Sequence, residues 1–212
     1  MTIKAVVFDM DGVLIDAKDW HYEALNKALG YFGLSISRYD HLVTFDGLPT
    51  RKKLEMLSIE TGLPTALHPF INDLKQQFTT DLVHSRCKPV FQHEYALSRL
   101  KAEGYHLAVA SNSIRSTVEL MMQKSRLDVY LDLMLSNEDV SRAKPDPEIY
   151  ETANRHFQIQ PHECLVVEDN EKGIAAARAA GTHVLVVDSV FDVTHDRIKG
   201  FMEESSKTGP LR

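Results

Sequence analysis

Apolar positions along the chain keep two different rhythms, and the change from one to the other divides it. The run from Ile3 to Phe8, broken only by Lys4, is too short for a helix and rich in β-branched residues, so it predicts a buried strand. Beyond it the period lengthens. Trp20, Ala24, Leu25, Ala28, Leu29 and Phe32 share one helical stripe within Asp19 to Phe32, closed by Gly33. Further helices are expected over Thr50 to Glu60, ahead of Gly62-Leu63-Pro64, and over Pro69 to His84. Nothing from 17 to 86 reads as a strand, so this block is predicted to be a small α-helical domain inserted directly behind the first strand.

From about Lys88 helix and strand alternate. The predicted helices are Phe91 to Glu103, ended by Gly104, then Ser116 to Lys124, Pro147 to Phe157, and Glu171 to Ala180, stopped by Gly181. The strands between and after them are His106 to Ala110, Leu133 to Leu135, Cys164 to Val167 and Val184 to Val187. Strands separated by helices imply a parallel sheet with right-handed crossovers. The expected fold class is α/β, a doubly wound parallel sheet built from 1–16 and 87–212, with 17–86 as its helical insertion. The stretch Glu203 to Pro210 is polar and expected to fray.

A chain of 212 residues, 43% of them hydrophobic, can bury a full core as one domain plus a smaller insertion. The formal charge of -6 favours neither a nucleic-acid nor a membrane-surface partner, since both usually need a basic face. Cys87 and Cys164 are the only cysteines, and Cys164 opens a predicted strand, so a buried free thiol is expected rather than a disulfide, in keeping with the reducing cytoplasm. The N-terminus has no basic segment followed by a long apolar stretch, and the longest apolar runs are strand-sized. Neither secretion nor membrane spanning is expected.

The first strand ends abruptly in Asp9 and Asp11, with Gly12 able to turn the backbone sharply or admit a ligand closely. In open α/β sheets ligands collect beyond the carboxyl ends of the strands. A calcium loop can also begin Asp-x-Asp, but it needs flanking helices, a sixth-position glycine and a twelfth-position glutamate. Here a strand precedes the pair and those positions hold Leu14 and Trp20. Three more strand ends or following loops carry candidate chemistry: Ser111 and Asn112, Lys144, and Glu168 and Asp169. Each has an innocent reading alone. Ser111-Asn112-Ser113 can cap a helix, Lys144 before Pro145-Asp146-Pro147 can be a solvated loop lysine, and Glu168-Asp169-Asn170 can complement a helix dipole. Their joint occurrence favours one site over four accidents. Three ionised carboxylates converging at about 4 Å would repel by roughly 4 kcal/mol per pair at an effective dielectric near 20. One lysine cannot offset that; a divalent cation can, and an all-oxygen donor set suits Mg²⁺.

The segment Asp9-Met10-Asp11-Gly12-Val13-Leu14-Ile15-Asp16 resembles the first motif of the haloacid dehalogenase superfamily, in particular its phosphatases and β-phosphoglucomutases. Ser111, Lys144 within Lys-Pro-x-Pro-x-x-Tyr (Lys144 to Tyr150) and Glu168-Asp169 match the remaining motifs, so the resemblance spans nearly the whole chain. It implies that the insertion is a helical cap closing over the active site. It further implies that Asp9 is the nucleophile that takes the phosphoryl group and that Asp11 is the general acid, then base. Ser111 would bond the phosphoryl group with Asn112 nearby on the substrate, and Lys144 would neutralise the nucleophile and phosphoryl oxygens. Mg²⁺ would be held by Asp9, the Asp11 backbone carbonyl and Asp169, with Glu168 direct or through water.

The activity so implied is Mg²⁺-dependent hydrolysis of a small phosphorylated metabolite, a sugar phosphate, through an aspartyl phosphate. A β-phosphoglucomutase-type mutase and a non-enzymatic phosphate-sensing protein are the alternatives; intact Asp9, Asp11, Lys144 and Asp169 argue against the second. Bacterial response-regulator receivers are similar in residue types but place the acidic pair before the acceptor, and haloalkanoic acid dehalogenases lack an acid at the position of Asp11. In the insertion, Asp16 to His21 matches Asp-x-x-x-x-His, and Gly47-Leu48-Pro49-Thr50-Arg51 resembles the Gly-x-x-x-Arg loop of the β-phosphoglucomutase-like branch. The resemblance therefore puts His21 and Arg51 on the substrate, whereas as residues alone they read as a partly buried helix histidine and a solvated first-turn arginine. Where close relatives carry Pro-Gly before the helix leading to the second strand, this chain has Lys88-Pro89-Val90. The expected partner is a small phosphate ester, with no nucleic acid and no membrane, bound by a cytoplasmic monomer.

Overall fold

The structure is a computed structural model that describes residues 2–45 and 47–208. In chain order its elements begin with β1 (Ala5–Phe8), α1 (Lys18–Gly30), α2 (Arg38–Asp40), α3 (Thr50–Thr61) and α4 (His68–Arg86). There follow α5 (Phe91–Ala102), β2 (His106–Ala110), α6 (Arg115–Ser125), β3 (Leu133–Leu135) and α7 (Glu148–Phe157). The chain continues through β4 (Cys164–Glu168), α8 (Glu171–Ala179), β5 (His183–Val186) and α9 (His195–Thr208). By internal contacts it divides into two units, Met1–Asp16 with Lys88–Arg212, and Ala17–Cys87.

In the first unit the described residues form a parallel sheet of five strands in the order β3-β2-β1-β4-β5. All four residues of β1 are buried, as a strand covered on both faces requires, which is why its sequence is continuously apolar rather than alternating. Phe8 lies opposite Val109 of β2 and Val167 of β4, so the three central strands finish level with one another. The chain builds outward through β2 and β3, then crosses back to add β4 on the other side of β1. The order reverses between β1 and β4, and in open α/β sheets ligands bind beyond the carboxyl ends of the strands at such a switch point. On one face small residues let the helices approach closely: Ala5, Val7, Ala108, Ala110 and Val166 pack with Tyr150, Ala153, Ala176 and Ala177 of α7 and α8.

The second unit is helical. Leu25, Ala28 and Leu29 of α1 bury their stripe with Leu54 and Leu57 of α3 and Ile71 of α4, joined by Ile36 and Phe45 from the connecting turns. The Asn26 side chain fixes that connection, donating to the Ile36 carbonyl at 2.9 Å and accepting from its N–H at 2.7 Å. No strand occurs among the described residues of Ala17–Cys87.

The predicted elements are present with ends displaced by one or two residues, and the fold class is the expected α/β sheet with an inserted helical region. Two features lie outside the expectation. Short α2 leads into a wide helical turn, His41–Phe45, and α9 continues to Thr208, so the fraying expected from Glu203 onward is replaced by helix. Among the described side chains of α9 the buried apolar ones are Ile198 and Met202, four residues apart, a stripe too narrow to read in a polar segment. Gly209 and Pro210 lie outside the described residues. Neither cysteine is in a disulfide and both are buried, and no described helix is long and apolar enough to cross a membrane.

Candidate active site

β1 delivers Asp9 to the carboxyl edge of the sheet, where its N–H donates to the Val167 carbonyl at 2.9 Å and its side chain is buried. The chain then closes a tight loop. Gly12 donates to the Ile15 carbonyl at 2.7 Å, while Leu14 and Ile15 both donate to the Met10 carbonyl, at 3.0 and 2.9 Å. The loop needs φ = 94° at Gly12, a conformation that a Cβ would strain. It holds Asp11 half-buried, with Oδ2 accepting from the Ser113 hydroxyl at 3.2 Å.

Lys144 comes from the segment between β3 and α7 and is itself buried. Its ammonium has three donors and uses three acceptors: Asp9 Oδ1 at 2.6 Å, Glu168 Oε1 at 2.7 Å and the Ala110 carbonyl at 2.9 Å. Burial alone would lower the pKa of this group, but the attraction of Asp9 and Glu168 and the bonds to both outweigh it and raise it to about 12. The lysine is therefore a fixed positive charge.

Glu168 is fully engaged. Besides Lys144, its Oε1 accepts from the Tyr150 hydroxyl at 2.7 Å, and its Oε2 accepts from the N–H groups of Asp169 and Asn170 at 3.1 and 3.2 Å. Burial, followed by the charges of Glu168 and Asp9, pushes the Tyr150 hydroxyl well above its ordinary pKa, so it remains a donor. The Lys144 ammonium also lies 4.9 Å from the centre of the Tyr150 ring. Behind Glu168 stands Gly173 of α8, where a Cβ would fall 1.7 Å from Oε1. Asn170 caps α8, its side chain accepting from the Lys172 N–H at 3.0 Å.

Asp9, Glu168 and Asp169 each offer a carboxylate oxygen within 4.8 Å of the others. Burial pushes the Asp9 carboxyl well above its usual range; Lys144 opposes this, but Glu168, Asp11 and Asp169 add to the rise. With one lysine the cluster still prefers an extra positive charge on Asp9, and a hard divalent cation would supply it. An all-oxygen donor set of this kind fits Mg²⁺.

Ser111 follows β2, its N–H donating to the Leu135 carbonyl at 3.0 Å and its hydroxyl accepting from the Ser113 N–H at 3.1 Å. No residue of Ser111-Asn112-Ser113 caps α6; Ile114 takes that position without a side-chain bond. The Asn112 side chain engages the backbone of Lys144. His21 and Arg51 belong to the helical unit. His21 lies on α1 with Nδ1 3.3 Å from Nζ of buried Lys75, and Arg51 sits exposed in the first turn of α3, donating to Glu55 Oε1 at 3.0 Å. Sequence reasoning passed over Ser113, the bond from Tyr150 to Glu168 and the space left by Gly173, since none leaves a local pattern.

Fold and site together are those of an α/β protein with an acidic, lysine-bridged centre at the carboxyl edge of its sheet and a helical insertion behind its first strand. Residues 6–187 match the haloacid dehalogenase-like hydrolases, and the chain belongs to that family. It is 27% identical over 196 residues to a phosphorylated carbohydrates phosphatase of Thermotoga maritima, covering 91% of this chain and 86% of that protein. It is also 27% identical over 230 residues to a phosphoglycolate phosphatase of Nitrosospira multiformis, covering 98% and 96% of the two chains. In fold it resembles the crystal structure of a β-phosphoglucomutase from Clostridium difficile, with a TM-score of 0.84 at 20% identity over 97% of this chain and 100% of that one.

Proposed function

We propose that the protein is a Mg²⁺-dependent phosphatase acting on a small phosphorylated metabolite, a sugar phosphate, through an aspartyl-phosphate intermediate. The observation that carries this reading is the Lys144 ammonium bonded at once to Asp9 and Glu168, within the carboxylate cluster at the switch point of the sheet. The named activities of the relatives, directed at phosphorylated carbohydrates and at phosphoglycolate, support the substrate class.

Asp9 attacks phosphorus through a carboxylate oxygen as the bond from phosphorus to the leaving oxygen breaks, and Asp11 gives that oxygen its proton. Water then attacks phosphorus, the ionised Asp11 takes its proton, and the bond from phosphorus to the Asp9 oxygen breaks. Lys144 holds positive charge beside the reacting carboxylate, and Ser111 binds the phosphoryl group. Mg²⁺ held by Asp9, Asp169 and the Asp11 carbonyl would neutralise phosphoryl charge. Glu168, with both oxygens already bonded, is assigned the outer position, acting through Lys144 and through water. The region Ala17–Cys87 is assigned as the cap, with His21 and Arg51 contacting the rest of the substrate.

The test is a screen of phosphorylated metabolites for released phosphate, run with wild type, Asp9→Asn and Asp11→Asn. Asp9→Asn is expected to abolish release, and Asp11→Asn to slow it by about 10²–10⁴-fold while phosphate still binds. An unchanged rate in Asp9→Asn would remove the nucleophile assignment. Conversion of β-glucose 1-phosphate into glucose 6-phosphate in the presence of a trace of bisphosphate would replace hydrolysis by mutase chemistry.

A further inference from the structure

Asn112 was expected on the substrate, yet its side chain is turned to the chain itself. Its Oδ1 accepts from the Lys144 N–H at 3.1 Å, and its Nδ2 donates to the Lys144 carbonyl at 3.3 Å. Paired donation and acceptance between an amide and one residue's backbone reproduces the exchange of an antiparallel β pair. Both backbone polar groups of Lys144 are thereby taken by one residue.

Asn112 is itself anchored. Its carbonyl accepts from Asn137 Nδ2 at 2.9 Å, and the Asn137 N–H donates to the Ser113 carbonyl at 3.0 Å. The Ser111 N–H continues the pairing of β2 with β3 through the Leu135 carbonyl. The segment that carries Lys144, 136–147, has no helix or strand of its own. Glu148 holds the N–H groups of Ser141 and Arg142, at 2.9 and 3.0 Å, but these lie upstream of the lysine. The backbone of Lys144 is linked to the end of β2 through Asn112, while its ammonium reaches Asp9, Glu168 and the Ala110 carbonyl separately.

We propose that Asn112 is a positioning residue for Lys144. The amide clamps the lysine's peptide to the end of β2, and this fixes where a long, flexible stem can place its ammonium between Asp9 and Glu168. Asn112 thus acts on the reaction through Lys144 and not by touching substrate. The kinetic consequence rests on the phosphatase reading; the clamp itself does not.

The test combines amide hydrogen exchange at Lys144 with a double-mutant cycle on p-nitrophenyl phosphate. In Asn112→Ala the Lys144 amide is expected to exchange about fivefold faster or more, the effect of losing one ordinary hydrogen bond. Asn112→Asp still accepts from that N–H but sets a carboxylate oxygen against the Lys144 carbonyl in place of the donor, so exchange at Lys144 is expected between that of wild type and that of Asn112→Ala. In Asn112→Ala kcat is expected to fall about 10- to 100-fold with KM nearly unchanged, the cost of a misplaced catalytic group. Added to Lys144→Ala, the same substitution costs less than about twofold, because the two residues act as one. An equal loss in both backgrounds, or a rise in KM alone, would mean direct contact with substrate and overturn the proposal. So would unaltered exchange at Lys144 in Asn112→Ala. A wild type that hydrolyses no phosphomonoester would sink the phosphatase reading and leave the exchange measurement to decide the clamp.

Discussion

Replacing Gly173 by alanine sets two effects of known size against each other. In an exposed helix interior the change stabilises by about 1 kcal/mol, because glycine has more backbone freedom to lose on folding. Here the new Cβ would stand 1.7 Å from Glu168 Oε1, 2.1 Å from its Cδ and 2.4 Å from Oε2. Ordinary contact begins at 3.4 Å, so Oε1 must recede by about 1.7 Å. A glutamate tip would normally swing aside at little cost, but this one is tied to Lys144 and Tyr150 at 2.7 Å each and to two backbone N–H groups. A shift of that size breaks the bonds to Oε1 and leaves the buried lysine with a single carboxylate. Disrupting a buried ion pair costs about 3–5 kcal/mol, so the net effect is a destabilisation of roughly 2–4 kcal/mol. Gly200 of α9 provides the control, since nothing lies within 4 Å of where its Cβ would be. Urea unfolding followed by circular dichroism should show Gly200→Ala slightly stabilised and Gly173→Ala clearly destabilised, with phosphatase activity lost only in the second. A Gly173→Ala protein as stable as Gly200→Ala would refute the claim that Glu168 is locked in place.

Tyr150→Phe keeps the ring but strips a donor from a buried carboxylate, so urea unfolding should show a loss of about 1–3 kcal/mol; an unchanged midpoint would mean that the hydroxyl contributes nothing. Chelation with EDTA should abolish turnover and Mg²⁺ restore it, while calorimetry detects Mg²⁺ binding to wild type and much weaker binding to Asp169→Asn. Full activity in EDTA would remove the metal from the reaction. His93 is buried with Nε2 2.7 Å from the Val190 carbonyl, and burial lowers its pKa below the ordinary 6.5 despite backbone bonds to Val190 and Leu14. Its contribution to stability is complete above that value, where both folded and unfolded chains hold it neutral, and is lost as pH falls toward the lower folded pKa. Between about pH 7.5 and 5.5 wild type should therefore lose more stability than His93→Gln; parallel curves would exclude this titration.

Much of the molecule was legible in the sequence because its signals are local. His106–Ala110 and Leu133–Leu135 are apolar runs bounded by polar residues and were found to the residue, since a buried parallel strand has little other way to be written. That Asp9 and Glu168-Asp169 lie together was legible because parallel strands set their carboxyl ends at one edge, so side chains at strand ends converge. What stayed hidden depends on pairing between distant segments. Nothing near Asn112 announces that its amide will meet the backbone of Lys144, and nothing near Gly173 announces a carboxylate behind it. For α9 the reason is quantitative, as the two buried apolar side chains among its described residues are too few in a charged segment to raise a periodic signal.

Because β1 lies between strands supplied by residues 106–110 and 164–168, its two edges are closed at very different times while the chain is being made. A nascent polypeptide that has not reached residue 164 carries Val6, Val7 and Phe8 in a strand with one bare backbone edge, a template for pairing with a neighbouring chain. Biosynthesis therefore passes through an interval of aggregation risk that closes only when Cys164–Glu168 has left the ribosome.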